Sequence, residues 1–377
     1  MISTNSQRLE RWLGREQVQH VSDSMRGFYG PPIAVHGVPG NVRVCGDGDF
    51  IGEISEGFEM SAKDRFEDIL RRAKAAARVA SSNTYRRQRS QLNAGFTSLS
   101  DLINEFTAQF KGQQLYFSKV IPMSTVAAAT MSSWTAAGQP IAGTASSAAA
   151  PSGTQYTSAT AGALNFFNPI TGGDNTYFIN ANVANGQVGT LLLYDRLFGV
   201  AKTASSTSTE AVTGVPTRYQ NTTAGAADYI GGNFMFIETA TALGASAHNW
   251  TVCQYKNQAN STQSLPSVTG VASTVVGRLD MPTGTWFAPL ASGDIGVKAI
   301  TQMQCSASNT GVVNFCIGHP IAFMPCLIAN SVTQIDGLNT AFNLTRIFDS
   351  ACLSFLDICR SAATSTTWTG NVTMCAG

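Results

Sequence analysis

The chain has 377 residues, a net charge of +1 and only 12% charged residues, about half the share carried by ordinary soluble domains. That balance excludes a global field that would steer the protein to nucleic acid, and no run of about 18 apolar residues is present to predict a membrane span. Ala, Ser, Thr and Gly take the place of charge, so much of the surface is neutral and readily buried against neighbours, as in a subunit of an assembly or a secreted β protein.

Charge is unevenly placed: 15 of the 24 Lys/Arg and 13 of the 23 Asp/Glu fall in the first 115 residues. The composition shift predicts a charged, helix-containing N-terminal region over 1–115 and a β-rich body over 116–377, with a further break near Gly244. Met1 to Trp12 is polar and lacks the apolar stretch of a signal peptide. The sequons at Asn221, Asn249, Asn260, Asn343 and Asn371 are therefore expected to be unused.

In the N-terminal region, Ser6 to Arg26 carries Leu9, Trp12, Leu13, Val18, Val21 and Met25 on one helical stripe, ended by Gly30-Pro31-Pro32. Ile33 to Ile54 is Gly-rich and strand-like. Ser61 opens a second helix as N-cap, with Asp64 three places on and Phe66, Ile69, Leu70, Ala73, Ala76 and Ala77 on its apolar face. A third helix runs from Ser98 or Ser100 to Phe110. Arg71, Arg72, Lys74, Arg78, Arg86, Arg87 and Arg89 form a basic stretch without an acid. It reads first as a solvated face or an arm docked on a neighbouring subunit, and second as a contact with a polyanion. Tyr85 is its single aromatic, so base stacking is not indicated.

From Leu115 onward the pattern is strands and loops. Thr125 to Ala163 is rich in small residues, yet Met131, Trp134 and Tyr156 anchor it as an extended segment laid along other surfaces. Strands are predicted at Leu115–Ile121, Thr176–Asn180, Val188–Tyr194, Asn233–Ala240, Asn249–Tyr255, Ser273–Asp280, Thr285–Pro289, Gly296–Gln304, Leu353–Ile358 and Thr367–Met374. The most apolar stretch, Gly311 to Cys326, predicts two buried strands joined by a turn at Gly318-His319-Pro320. Gly337 to Ser350 predicts one helix. This many short strands imply a mainly β fold: an antiparallel, jelly-roll-like sandwich with an N-terminal helical arm.

No catalytic constellation emerges. The eight cysteines form no CxxC and read first as reduced, buried thiols and second as holding one disulfide among the last five. His20, His36, His248 and His319 form no metal-ligand pair. Gly244-Ala-Ser246-Ala-His248 comes nearest to a nucleophile elbow but lacks the final Gly. Asp47-Gly-Asp49 starts like a calcium loop, but its oxygen ligands run out at Ile51 and Phe58. Phosphate-loop and dinucleotide motifs are absent. Asp195, Asp280 and Asp294 sit near strand ends, where turn caps or ion pairs with Arg196, Arg278 or Lys298 account for them as well as hydrolytic chemistry does. No cofactor or metal is implied.

Five segments carry a family likeness: Phe96-Thr-Ser-Leu-Ser-Asp-Leu-Ile103, Tyr116-Phe-Ser-Lys119, Trp134-Thr-Ala-Ala-Gly-Gln-Pro140, Leu191-Leu-Leu-Tyr-Asp-Arg-Leu197 and Ala351-Cys-Leu-Ser-Phe355. In that order the chain from about residue 95 to the end resembles a group of tailed-bacteriophage virion proteins linked to the head or its surface. The resemblance implies a non-enzymatic capsid or capsid-decorating protein, a homo-oligomer assembled in the host cytoplasm and found in the virion. Its partners would be copies of itself and other virion proteins, with no membrane. Nucleic acid is the less favoured partner of the basic stretch. Two rivals stand beside it: a tail- or head-fibre adhesin that binds a host glycan through Trp250, Trp286 or Trp368, and a polysaccharide depolymerase using Asp195 or Asp280.

Overall fold

The structure is a computed structural model, and it describes residues 96, 98–122, 129–167, 174–337, 344–360 and 365–377. The first two predicted helices and the basic stretch from Arg71 to Arg89 lie outside the described residues. The third helix is α1, Leu99–Thr107, with Ser98 as its N-cap: the Ser98 hydroxyl accepts from the backbone N–H of Asp101 at 3.0 Å.

Strands then follow in order: β1 (Gly112–Pro122), β2 (Thr130–Ser132), β3 (Ala137–Gln139), β4 (Thr154–Gln155), β5 (Thr176–Asn185), β6 (Gly189–Thr203), β7 (Glu210–Ala211), β8 (Phe234–Thr241) and β9 (Asn249–Trp250). The chain continues through β10 (Gln254–Asn257), β11 (Thr262–Ser264), β12 (Val268–Thr269), β13 (Val297–Met303), β14 (Val312–Cys326), β15 (Val332–Asp336), β16 (Arg346–Ile347), β17 (Leu353–Cys359) and β18 (Ser365–Ala376). The fold is mainly β, and every ladder between named strands is antiparallel.

Three layers result. The first sheet has the order β15-β5-β18-β1-β3, and the second β2-β17-β6-β14-β8. Phe117, Val183, Val372 and Trp368 of the first sheet pack against Leu191, Leu193, Met324 and Phe355 of the second, and the rings of Phe117 and Phe355 lie 4.5 Å apart. The opposite face of the second sheet, with Phe198, Phe236 and Phe315, packs against Tyr255, Val297, Ile300 and Met303 of a four-stranded sheet ordered β11-β10-β13-β7. Buried on both faces, the second sheet needs near-continuous apolar runs, and Leu191 to Val200 supplies one. At about 1.5–3 kcal/mol per buried large side chain, these two interlayer cores dominate the favourable side of folding.

The edges of the second sheet are closed. The segment Gly277–Asp280 bridges both of its edge strands: the N–H of Ser132 bonds the Gly277 carbonyl (2.7 Å) and that of Leu279 bonds Thr130 (2.9 Å), while Thr239 bonds Arg278 (2.9 Å) and Asp280 bonds Ile237 (2.8 Å). The sheet thereby curls on itself and leaves no long edge there to recruit another chain.

Three local expectations are corrected. Gly318-His319-Pro320 is no turn: β14 runs through it as one strand of 15 residues, paired with β6 along its length. Bulges between Ile317 and Gly318 and between Pro320 and Ala322 accommodate a proline that lacks a ladder donor. Gly318 fits because a Cβ there would stand 2.7 Å from the Tyr194 ring and 3.0 Å from that of Phe234. Of the helix predicted over Gly337–Ser350, residues 338–343 lie outside the described residues, and over 344–350 no helix forms: Arg346–Ile347 pairs with β5, which lets Ile347 enter the interlayer core. Ser273–Asp280 forms turns and isolated bridges, and Thr285–Pro289 is a bend outside any ladder, because their backbone groups, such as the Ala288 N–H on the Met235 carbonyl, close sheet edges instead of extending a ladder.

Candidate functional site: consumed polar groups and an uncharged outer face

The residues with chemical potential are drawn into internal bonds. Asp195 and Arg196 are adjacent on β6, so they point to opposite faces and cannot pair with each other. Asp195 accepts two bonds from Arg218 (2.7 and 2.8 Å) and one from the Cys352 N–H (2.8 Å). Arg196 reaches Glu238 at 2.6 Å, and its guanidinium lies 4.8 Å from the Trp134 ring and 4.7 Å from that of Tyr156. Both members of the pair are fully buried. Burial disfavours the Arg196 charge, but Cys316 and Glu238 outweigh it and hold the guanidinium above its ordinary range.

His248 and Asp280 form a buried pair, Nε2 to Oδ2 at 2.8 Å. Asp280 also accepts from Trp250 Nε1 (2.8 Å) and the Val271 N–H (2.6 Å). The other imidazole nitrogen faces the Ser246 carbonyl at 3.1 Å and Asn309 Nδ2 at 3.2 Å. Ser246 therefore meets His248 through its carbonyl and not through its hydroxyl, and the bond to Asp280 raises the imidazole pKa. His319 stacks on Tyr219 at 3.8 Å and bonds Asn233 through Nδ1 at 2.6 Å. Burial pushes its pKa down to about 3, so it is neutral near pH 7. Asp294 accepts from Tyr255 Oη at 2.5 Å and Asn257 Nδ2 at 2.7 Å.

Two further groups gave no sequence signal. Lys119 is buried in β1, and its Nζ donates to the carbonyls of Pro140 (2.7 Å), Ala136 (2.8 Å) and Ile141 (3.3 Å). Burial lowers its pKa to about 8. Asp357 accepts from Trp368 Nε1 at 2.9 Å, and burial pushes its pKa up to about 6. Trp250 and Trp368 are fully buried and Trp286 is half-buried. The seven described cysteines are buried and free. Among the described residues no three His, Cys, Asp or Glu side chains stand where they could hold a metal, and no helix is long and apolar enough to cross a membrane.

The surface feature that stands out is the outer face of the first sheet. Its register sets three rows of side chains side by side: Gln139–Ser118–Thr369–Ala184–Val332, then Tyr116–Asn371–Asn182–Gln334, then Gln114–Thr373–Asn180–Asp336. Asp336, at one corner, is the single charged residue in these rows. Tyr116 is 66% exposed and Val332 66%. A bulge between Thr373 and Met374 turns Tyr177, Ile179 and Cys375 outward at one end, where α1 covers them with Leu102. Solvated sheet faces ordinarily carry Lys and Glu; this one carries amides, hydroxyls, an aromatic and aliphatics.

No protein-family model matches the chain. A search of curated proteins likewise finds no match. Among solved structures, the chain is weakly similar to the crystal structure of the infectious bursal disease virus VP2 subviral particle and to the structure of the infectious bursal disease virus Gt strain. Each is 8% identical over 70% of this chain and 80% of that one, with a TM-score of 0.15, which carries no argument about fold or function.

Proposed function

We propose that this chain is a non-enzymatic structural protein of a tailed-phage virion, building or decorating the head shell through contacts between subunits. The observation that carries the reading is the uncharged outer face of the first sheet, a surface suited to burial against a neutral neighbour. The sequence resemblance supports it. So does the way each candidate acid or base in the body is tied up in a buried bond. The basic stretch from Arg71 to Arg89 then serves as a docking arm.

The copy number of this chain in purified particles, measured by quantitative mass spectrometry against the portal protein, tests the reading. Hundreds of copies per particle are expected. Absence from the particle overturns it. A handful to a few dozen copies replaces it with the second reading, a fibre adhesin for a host glycan. Exposed Tyr116 among the amides of Asn182, Asn371 and Gln334 favours that second reading, because aromatic faces and side-chain amides are the groups that meet sugars.

A further inference from the structure

We infer that the outer face of the first sheet is the interface between two copies of this chain, joined face to face. The inference rests on the shell reading for its context and on the sheet itself for its argument.

Charge selects the partner class. No Lys, Arg, Asp or Glu stands between Lys119 and Asp174, between Lys298 and Asp336, or after Arg360. Lys119 itself points inward and is buried. A polyanion, an anionic bilayer or an acidic peptide would find no counter-charge on this face. The chain's own first 95 residues are also a poor cover, because they hold most of its charge, and burying those groups against neutral amides would leave them unpaired. The same face of a second copy brings one charge, Asp336 at a corner where it can stay at the solvated rim, and Asn, Gln and Thr are donors and acceptors at once, so the rest of the face is complementary to itself.

Area fits as well. The rows from Gln114 to Val120 span about 23 Å along the strands at about 3.3 Å per residue, and five strands at about 4.8 Å spacing span about 20 Å or more across. That is roughly 500 Å² a side and about 1,000 Å² for a pair, the lower bound of a specific interface. Leu327 and Ile328, in the turn leading into β15, are 73% and 68% exposed and add apolar surface. Tyr116 supplies the aromatic anchor that such patches use. An interface of this size gives concentration-dependent association and not a permanent dimer, which suits a subunit that joins a lattice.

The test uses the full-length chain and sedimentation equilibrium. Thr369 is exposed near the middle of the face, so Thr369→Glu and Thr369→Lys leave the core untouched. Thr262→Lys, exposed on the far sheet, is the control. Wild type and control are expected to self-associate. Each Thr369 variant alone should associate about a hundredfold or more weakly, because like charges would then meet across the pair, and a mixture of the Glu and Lys variants should regain association. A monomeric wild type overturns the inference, as do Thr369 variants that associate like wild type. A Thr369→Cys thiol shielded from alkylation at concentrations where the chain is monomeric would overturn it in favour of the N-terminal residues. Loss of binding to purified host lipopolysaccharide in the variants, with no change in mass, would overturn it in favour of a glycan. The two proposals fail separately: a chain abundant in particles whose Thr369 variants associate normally keeps the shell reading and loses this interface, and a chain absent from particles that pairs as described does the reverse.

Discussion

The Arg196–Glu238 pair gives the sharpest test of the energetics. Arg196→Met leaves a carboxylate at full burial with no cation, and Glu238→Leu leaves a guanidinium held by ring faces, Tyr194 Oη at 3.3 Å and the Cys316 sulfur at 3.2 Å. Removing one member of a buried pair costs about 3–5 kcal/mol. Losing the Trp134 and Tyr156 contacts adds about 1–2 kcal/mol to the Arg196 variant. Against a total stability of about 5–15 kcal/mol, either single variant is close to unfolding. The double variant leaves no buried charge and fills the space with apolar atoms, so its cost should be about 1–2 kcal/mol, well below either single change. Arg196 Nε and Glu238 Oε1 have no protein partner, so the pair's own bond is the principal compensation for desolvation. Urea unfolding of the four proteins at pH 7, compared by midpoint and slope, reads the coupling directly. If the double variant costs the sum of the singles within about 0.5 kcal/mol, each charge is satisfied independently of the other and the reasoning fails.

Three further outcomes follow from the buried groups. Asp357 has a folded pKa of about 6 against an ordinary 3.8, so the folded state holds its proton more tightly. Stability should fall by on the order of 3 kcal/mol as pH rises from about 4 to about 6, and a urea-midpoint profile that stays equally steep in Asp357→Asn would contradict this. The raised pKa of His248, caused chiefly by its bond to Asp280, contributes stability that is complete below about pH 6.5 and is lost as pH rises through the folded value; His248→Gln should flatten that upper limb of the same profile. Lys119→Met removes a buried charge but strands the carbonyls of Ala136 and Pro140, and at about 1–3 kcal/mol per orphaned group the loss wins, for a net destabilisation of about 3 kcal/mol read by thermal unfolding.

Much of the fold was legible in the sequence because burial leaves a periodic trace. Leu353–Ile358 and Thr367–Met374 fall inside strands at those places, and the helix predicted from Ser98 or Ser100 forms over Leu99–Thr107. The errors came from strongly local signals that tertiary contacts overrode. Gly-His-Pro reads as a turn, yet β6 and β8 flank it and hold it extended with two bulges. The stretch before Ser350 reads as a helix, but pairing of Arg346 and Ile347 with Tyr177 and Thr176 holds it extended there.

The site divides in the same way. Composition alone determined that this chain has little charge to place, because that is a property of residue counts. Which carboxylate meets which cation was decided only by the tertiary structure: Asp195 pairs with Arg218 and not with its neighbour Arg196, since adjacent strand residues face opposite ways. The neutral face is likewise a product of register. Tyr116, Asn371, Asn182 and Gln334 are far apart in the chain, and antiparallel pairing over four strands sets them in one row. The sequence determined how few charges there are; strand pairing decided that a sheet face would carry a single one, Asp336 at its corner.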